Sequence, residues 1–146
     1  AKAQARSLEV YSFGEHEDAD ARLVDCLVAA NGSRVKAEIL GHEISFNLQI
    51  PGRHIVSNAL SVLLAVGLAG EDVDKAAKAL EKIPPMAGRG LREYIDIGEK
   101  DNPITLIDES YNASPVAMRA AFKVLALIDP GRGGRRIGRA GRSLAG

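Results

Sequence analysis

Residues 42–69 read HEISFNLQIPGRHIVSNALSVLLAVGLA, and the class of the fold turns on a change of period inside them. Ile44, Phe46, Leu48 and Ile50 alternate with Glu43, Ser45, Asn47 and Gln49. That is the period of a strand with one wet face. From His54 onward apolar residues cover most of a helix and leave only a narrow polar stripe at His54, Ser57, Asn58 and Ser61. Such a pattern predicts a helix buried on several sides. Between the two lies Pro51-Gly52-Arg53-His54, a turn into a helix start whose free N–H groups suit an anion.

Upstream, Val35, Ala37 and Ile39 alternate with Arg34, Lys36 and Glu38. Asn31-Gly32 just before them suits a hairpin turn, since both residues tolerate positive φ. An earlier strand over residues 22–29 would pair across that turn, and Gly41-His42 makes the next one, which gives a small antiparallel meander. Downstream, a second helix is expected over residues 72–83 with Val73, Ala76, Ala77, Leu80 and Ile83 on one face. Pro84-Pro85 stop it. Residues 91–97 and 104–107 read as strands joined by the turn-like EKDN. The second is a short unbroken apolar run, the signature of a strand covered on both faces. Ser114 is then placed to cap a third helix with Pro115 at its first position. Its expected inner face is Ala117, Ala121, Leu125 and Ile128. There is no internal repeat, and the class is α/β.

Composition narrows the function. A chain of 146 residues with 46% apolar and 26% charged residues suits one domain and its core. Nineteen basic and nineteen acidic residues cancel, so net charge gives no argument for nucleic acid or an anionic membrane as partner. With three Phe, three Tyr and no Trp, base stacking is not expected as the main activity. Cys26 is the only cysteine, which excludes an internal disulfide and a cysteine-based zinc site. In its apolar setting it reads as an inert core thiol. The longest apolar run, residues 59–69, is too short to span a bilayer, and the first ten residues show no signal region. A reducing cytoplasm is the expected setting.

The candidate chemistry lies in residues 106–115, LIDESYNASP. Asp108 ends an apolar strand, and open α/β sheets bind ligands beyond the carboxyl ends of their strands. A carboxylate there can accept both hydroxyls of a ribose; it can equally be a turn-forming or helix-capping Asp. His54 and Asn58, four apart, share one helix face, and an Asn amide matches N6–H and N7 of adenine. Gly88-Arg89-Gly90 sets a guanidinium between two flexible residues, and its planar fork suits phosphate. A phosphate loop of the form G-x-x-x-x-G-K-[ST] is absent, as are H-E-x-x-H and G-x-S-x-G.

PGRHIVSNALSVLLAVGLAG, then MAGRG, then LIDESYNASPVAMRAAFKVL, in that order and spacing, resemble the Mur ligase family over most of residues 8–128. These are ATP-dependent amide-bond-forming enzymes of bacterial cell-wall synthesis. DESYNASP is similar to the acid pair and Ser-Tyr-Asn-Ala-Asn-Pro of the branch that joins D-alanyl-D-alanine to UDP-N-acetylmuramoyl-tripeptide through an acyl phosphate. The resemblance implies that residues 1–109 are the C-terminal half of the ATP-binding central domain, a meander followed by helices and strands of a mainly parallel sheet. Residues 110–130 would begin the C-terminal domain. It implies that Asn58 contacts adenine with His54 beside it, that Asp108 holds the ribose, and that Arg89 faces the ATP phosphates as the catalytic cation. Ser110, Tyr111 and Asn112 would border the hinge and the second substrate. ATP and Mg²⁺ are the implied cofactors, with no metal ligand expected within this chain. The family's phosphate loop, its metal ligands and its UDP-sugar domain would precede residue 1, so the chain alone is expected to be inactive.

Departures are visible. Ile55 stands where the family often has a second Asn, and Glu109 and Ser114 replace an Asp and an Asn. Residues 131–146 hold five arginines and six glycines in sixteen positions, a composition that predicts disorder. One inserted base after the Ile137 codon would turn the family's Ala-Val-Leu-Gly-Asp into the GRAGR found here, so residues 138–146 read as a frame-shifted tail. Two other readings stand beside the ligase: a stand-alone nucleotide-binding or regulatory module, and a nucleic-acid binder acting through the Arg/Gly tail. Sheet edges cut from a larger domain would also favour self-association.

Overall fold

The computed structural model describes residues 8–98, 103–111, 114–131 and 133–140. Its elements run β1 (Phe13–Gly14), β2 (Ala21–Ala29), β3 (Gly32–Ile39), β4 (His42–Leu48), α1 (Arg53–Leu68), α2 (Val73–Leu80), β5 (Leu91–Ile95), β6 (Ile104–Asp108) and α3 (Pro115–Ala126). The class is α/β, as the change of period predicts.

The first sheet has the order β1-β2-β3-β4, with β1 parallel to β2 and the other pairs antiparallel. The expected meander is therefore present, and it is extended by the short β1. Its hairpin turn needs Gly32, where φ is +151° and a Cβ would stand 2.3 Å from the Leu48 carbonyl oxygen. Val35, Ala37, Ile39, Ile44, Phe46 and Leu48 point to the covered face. On the wet face Arg22 and Glu38 lie opposite each other and pair at 2.6 Å. A bulge between Leu23 and Asp25 breaks the alternation of β2 and leaves Val24 exposed.

Helix α1 lies on the covered face. Val56, Ala59, Leu60, Leu63 and Leu64 join the strand residues in one core, with Ala77 of α2 beside them. Asp72 caps α2 by accepting the Lys75 N–H. Glu81 just beyond α2 accepts the Asn47 N–H at 2.8 Å, which occupies part of the β4 edge. Cys26 packs against this core, and burial pushes its thiol pKa up, as an inert thiol requires.

Two expectations of burial are corrected. Helix α1 is covered on one side only: Val62 and Leu68 are 46% and 43% exposed, because the sheet and α2 touch its other flank. Strand β6 is not covered on both faces, for Ile104 and Leu106 are 52% and 46% exposed. No residue beyond Leu80 takes part in the core cluster, so β5 and β6 lie outside it. The two strands pair with each other antiparallel. Only eight residues separate Ile95 from Ile104, too few for the crossover that parallel strands need. The EKDN turn of residues 99–102 lies outside the described residues.

Ser114 caps α3 by accepting the Ala117 N–H at 3.3 Å, with Pro115 at the first helical position. Val124 is its most buried residue, on the expected face of Ala117, Ala121, Leu125 and Ile128. Beyond it, residues 134–140 form neither helix nor strand. Arg136 Nε donates to the Ile128 carbonyl at 2.6 Å, and the Gly138 backbone lies against the Phe122 ring. Residues 141–146, most of the stretch read as frame-shifted, lie outside the described residues.

Candidate functional site

The carboxyl end of β6 and the loop before β5 meet at Asp108. Gly88 N–H donates to Asp108 Oδ2 at 2.7 Å, and Ser110 N–H donates to Oδ1 at 3.0 Å. The main chain adds two more ties: Gly90 N–H to the Asp108 carbonyl at 2.8 Å, and Tyr111 N–H to the Gly88 carbonyl at 3.1 Å. Gly88 and Gly90 are buried and hold φ of +74° and +82°, which glycine tolerates best. The Arg89 side chain between them is thrown outward, and its guanidinium carbon lies 4.0 Å from the centroid of the Tyr111 ring.

Electrostatics follow from these contacts. The Ser110 hydroxyl, then the Ser110 and Gly88 N–H groups, hold the Asp108 carboxyl below the usual carboxylate range. Glu109 next to it goes the other way, pushed up by burial of its carboxyl and by the Asp108 charge. Each Asp108 oxygen has taken a main-chain donor. A carboxylate has about four acceptor sites, so about two remain. Asp108 thus forms a turn with Ser110 and keeps acceptor sites open to a further donor.

His54 and Asn58 form a second group, on the first two turns of α1. The His54 ring lies over Gly52, where a Cβ would come within 2.7 Å of its Cε1. Burial lowers its pKa, so it is a neutral hydrogen-bonding group at pH 7 rather than a cation. The Asn58 amide is exposed and has no hydrogen-bond partner among the described residues. Arg53 does not face an anion at the helix start; it is ion-paired with Glu15 after β1. Ile55 and Val56 N–H groups both donate to the Gly52 carbonyl.

The structure therefore brings Arg89, Asp108, Ser110 and Tyr111 together and sets His54 and Asn58 on α1. No hydrogen bond or ion pair among the described residues joins the two groups. Asn112 lies outside the described residues. Sequence reasoning missed the stacking of Arg89 on Tyr111 and the part played by the Gly88 N–H. The glycines flanking Arg89 were the available signal, since both are needed for the backbone of that loop.

Curated relatives share this stretch. A UDP-N-acetylmuramate–L-alanine ligase of Salinispora arenicola is 34% identical over 116 residues, 79% of this chain and 22% of the relative. A UDP-N-acetylmuramoyl-tripeptide–D-alanyl-D-alanine ligase of Rickettsia prowazekii is 33% identical over 121 residues, 82% of this chain and 25% of the relative. The chain belongs to the Mur ligase family.

The fold agrees. MurF of Acinetobacter baumannii superposes on 88% of this chain and 26% of its own with a TM-score of 0.72 at 24% identity. MurF ligase of Thermotoga maritima, solved in complex with ADP, gives 0.66 at 22% identity over 88% of this chain and 28% of that one. No family model matches. This Mur ligase chain spans about a quarter of the length of the relatives it matches. The family read from PGRH, MAGRG and DESYNASP is thus borne out.

Proposed function

We propose that this chain carries the adenosine side of the nucleotide site of an ATP-dependent ligase, the one that joins D-alanyl-D-alanine to UDP-N-acetylmuramoyl-tripeptide. The observation that carries the reading is the Asp108 cluster. At the end of a strand it gathers two buried glycines and the start of the Ser-Tyr-Asn segment, and leaves Arg89 unpaired by any carboxylate among the described residues. Asn58, whose amide is free, supplies a donor and an acceptor for the adenine edge. Arg89 faces the phosphates, and a remaining acceptor site of Asp108 takes a ribose hydroxyl. The ADP complex of the Thermotoga maritima neighbour supports a nucleotide in this fold.

The two branches are 34% and 33% identical to this chain, so identity does not choose between them. The choice of D-alanyl-D-alanine rests on Asp108-Glu109-Ser110-Tyr111-Asn112 itself. In this reading residues 1–109 end the central domain, residues 110–130 open the C-terminal one, and residues 131–146 are a tail. The enzyme works in the cytoplasm; no helix among the described residues is long and apolar enough to cross a membrane. Among the described residues no group of three or more His, Cys, Asp or Glu is placed to hold a metal ion. Mg²⁺ would then come with the ATP phosphates. The tripeptide carboxylate would take the γ-phosphoryl group of ATP with release of ADP, and the amine of D-alanyl-D-alanine would then displace phosphate from that acyl phosphate; Arg89 stabilises the charge that spreads over the transferred group.

The test is product formation by the longest open reading frame that contains this chain. ADP release is expected with UDP-N-acetylmuramoyl-tripeptide plus D-alanyl-D-alanine, and only at background with UDP-N-acetylmuramate plus L-alanine. The opposite preference would overturn the branch. The 146-residue chain alone is expected to give no product above a no-protein blank. A second reading is a stand-alone nucleotide-binding module, and the buried cluster within residues 21–80, which joins the meander to α1 and α2, is the observation on its side. Saturable ATP binding by the isolated chain, weakened about tenfold or more in Asn58→Ala, together with no ligase product from the longest open reading frame, would support that module.

A further inference from the structure

Arg89 and Tyr111 are 22 positions apart in sequence, yet the fold closes the gap by a zipper of short contacts. Gly88 N–H reaches Asp108, and Tyr111 N–H returns to the Gly88 carbonyl. Gly88 has no side chain to hold the two segments apart; a Cβ there would lie 3.0 Å from Tyr111 Cβ and 3.1 Å from its nitrogen. The result is a guanidinium lying over an aromatic face at 4.0 Å. Tyr111 is 69% exposed, so the pair is not pressed together by the core. Asp108, a carboxylate within the same cluster, accepts an N–H on each oxygen and makes no ion pair with Arg89.

A guanidinium bound by its face keeps its donor edge free. An Arg on a flexible Gly-Arg-Gly loop would otherwise sample many rotamers, and fixing it on binding costs affinity. We propose that Tyr111 is a positioning residue for Arg89: its ring holds the guanidinium flat, with the N–H edge turned to an anionic ligand of the phosphoryl class. This rests on the reading of Arg89 as the phosphate-facing residue. Gly88 is the third member of the device, because only glycine lets residue 111 come close enough.

The test uses the whole 146-residue chain. The Arg89 Hε resonance is followed by NMR in the wild type, Tyr111→Phe, Tyr111→Leu and Gly88→Ala, and ATP affinity is measured for each and for Arg89→Ala. Ring-current shielding of Hε is expected in the wild type and Tyr111→Phe, and its loss in Tyr111→Leu and Gly88→Ala. ATP affinity should be kept in Tyr111→Phe and fall about threefold to fivefold in Tyr111→Leu, the range of an exposed cation–π contact. On an Arg89→Ala background Tyr111→Leu should cost nothing further. An unshielded wild-type Hε would overturn the proposal. So would an equal loss from Tyr111→Leu with and without Arg89, which would mean that the ring touches the ligand itself. A shielded Hε in a wild-type chain that binds no ATP would support the positioning of Arg89 and sink the nucleotide reading instead.

Discussion

Leu63→Ala is expected to lower the stability of this fold by about 3 kcal/mol, within the range for a Leu→Ala change in a packed core. Leu63 is fully buried at the middle of α1, in the one cluster that unites the helix with the meander and α2. The meander cannot close around the loss easily, since Val35 and Ala37 on β3 are held in register by ladders on both sides and Phe46 on β4 by the ladder to β3. A domain of this size has about 5–15 kcal/mol in total, so the change removes a large share of it. Leu68 on the same helix is the control. It is 43% exposed, and Leu68→Ala should cost under about 1 kcal/mol. Urea unfolding followed by far-ultraviolet circular dichroism reads both. Equal midpoints for the two variants would mean that α1 does not pack through the face described.

The contrast between Leu63 and Leu68 also marks how far the sequence could be read. Both are leucines in an apolar run, and periodicity alone asks that both be covered. The two-period pattern of residues 42–69 located β4 and α1 because side-chain alternation is a local property of the backbone. The depth of each face depends on partners, and the described residues supply a partner for one flank of α1. Strand β6 shows the same limit, since ITLI reads as doubly buried whether or not a second layer is present. The bulge at Val24 was hidden for another reason: it is a relation between β2 and β3, and neither strand shows it alone. Within the site, the end of the strand at Asp108 and the freedom around Arg89 were legible as local signals. That the Asp108 carboxylate would choose the Gly88 N–H, 20 residues away, was not. Nor was the pairing of Arg53 with Glu15, 38 residues away, since neither residue shows it alone.

Asp108 is where the largest effect on ligand binding is expected. Asp108→Ala removes the acceptor for Gly88 and Ser110 N–H, and Gly88 is buried, so its donor is left without a partner. The loop should then swing free of residue 111, and ATP affinity should fall by about tenfold or more, with both the Arg89 position and a ribose acceptor lost. Asp108→Asn keeps one acceptor oxygen but turns an NH₂ toward the other N–H, so it should lose nearly as much. The same carboxylate predicts the response to pH. Its pKa in the fold is depressed, so its contribution is fully present above the ordinary Asp range, near pH 3.9. That contribution is lost as pH falls through the lower folded value. The shielded Arg89 Hε signal should therefore hold steady from pH 7 to about pH 4 and move only below it. Glu109, pushed up by burial and by Asp108, titrates above its ordinary range, so the trace is repeated in Glu109→Gln to remove that step. A low-pH step that survives unchanged in Asp108→Asn would show that some other group, and not this carboxylate, ties the loop to the end of β6.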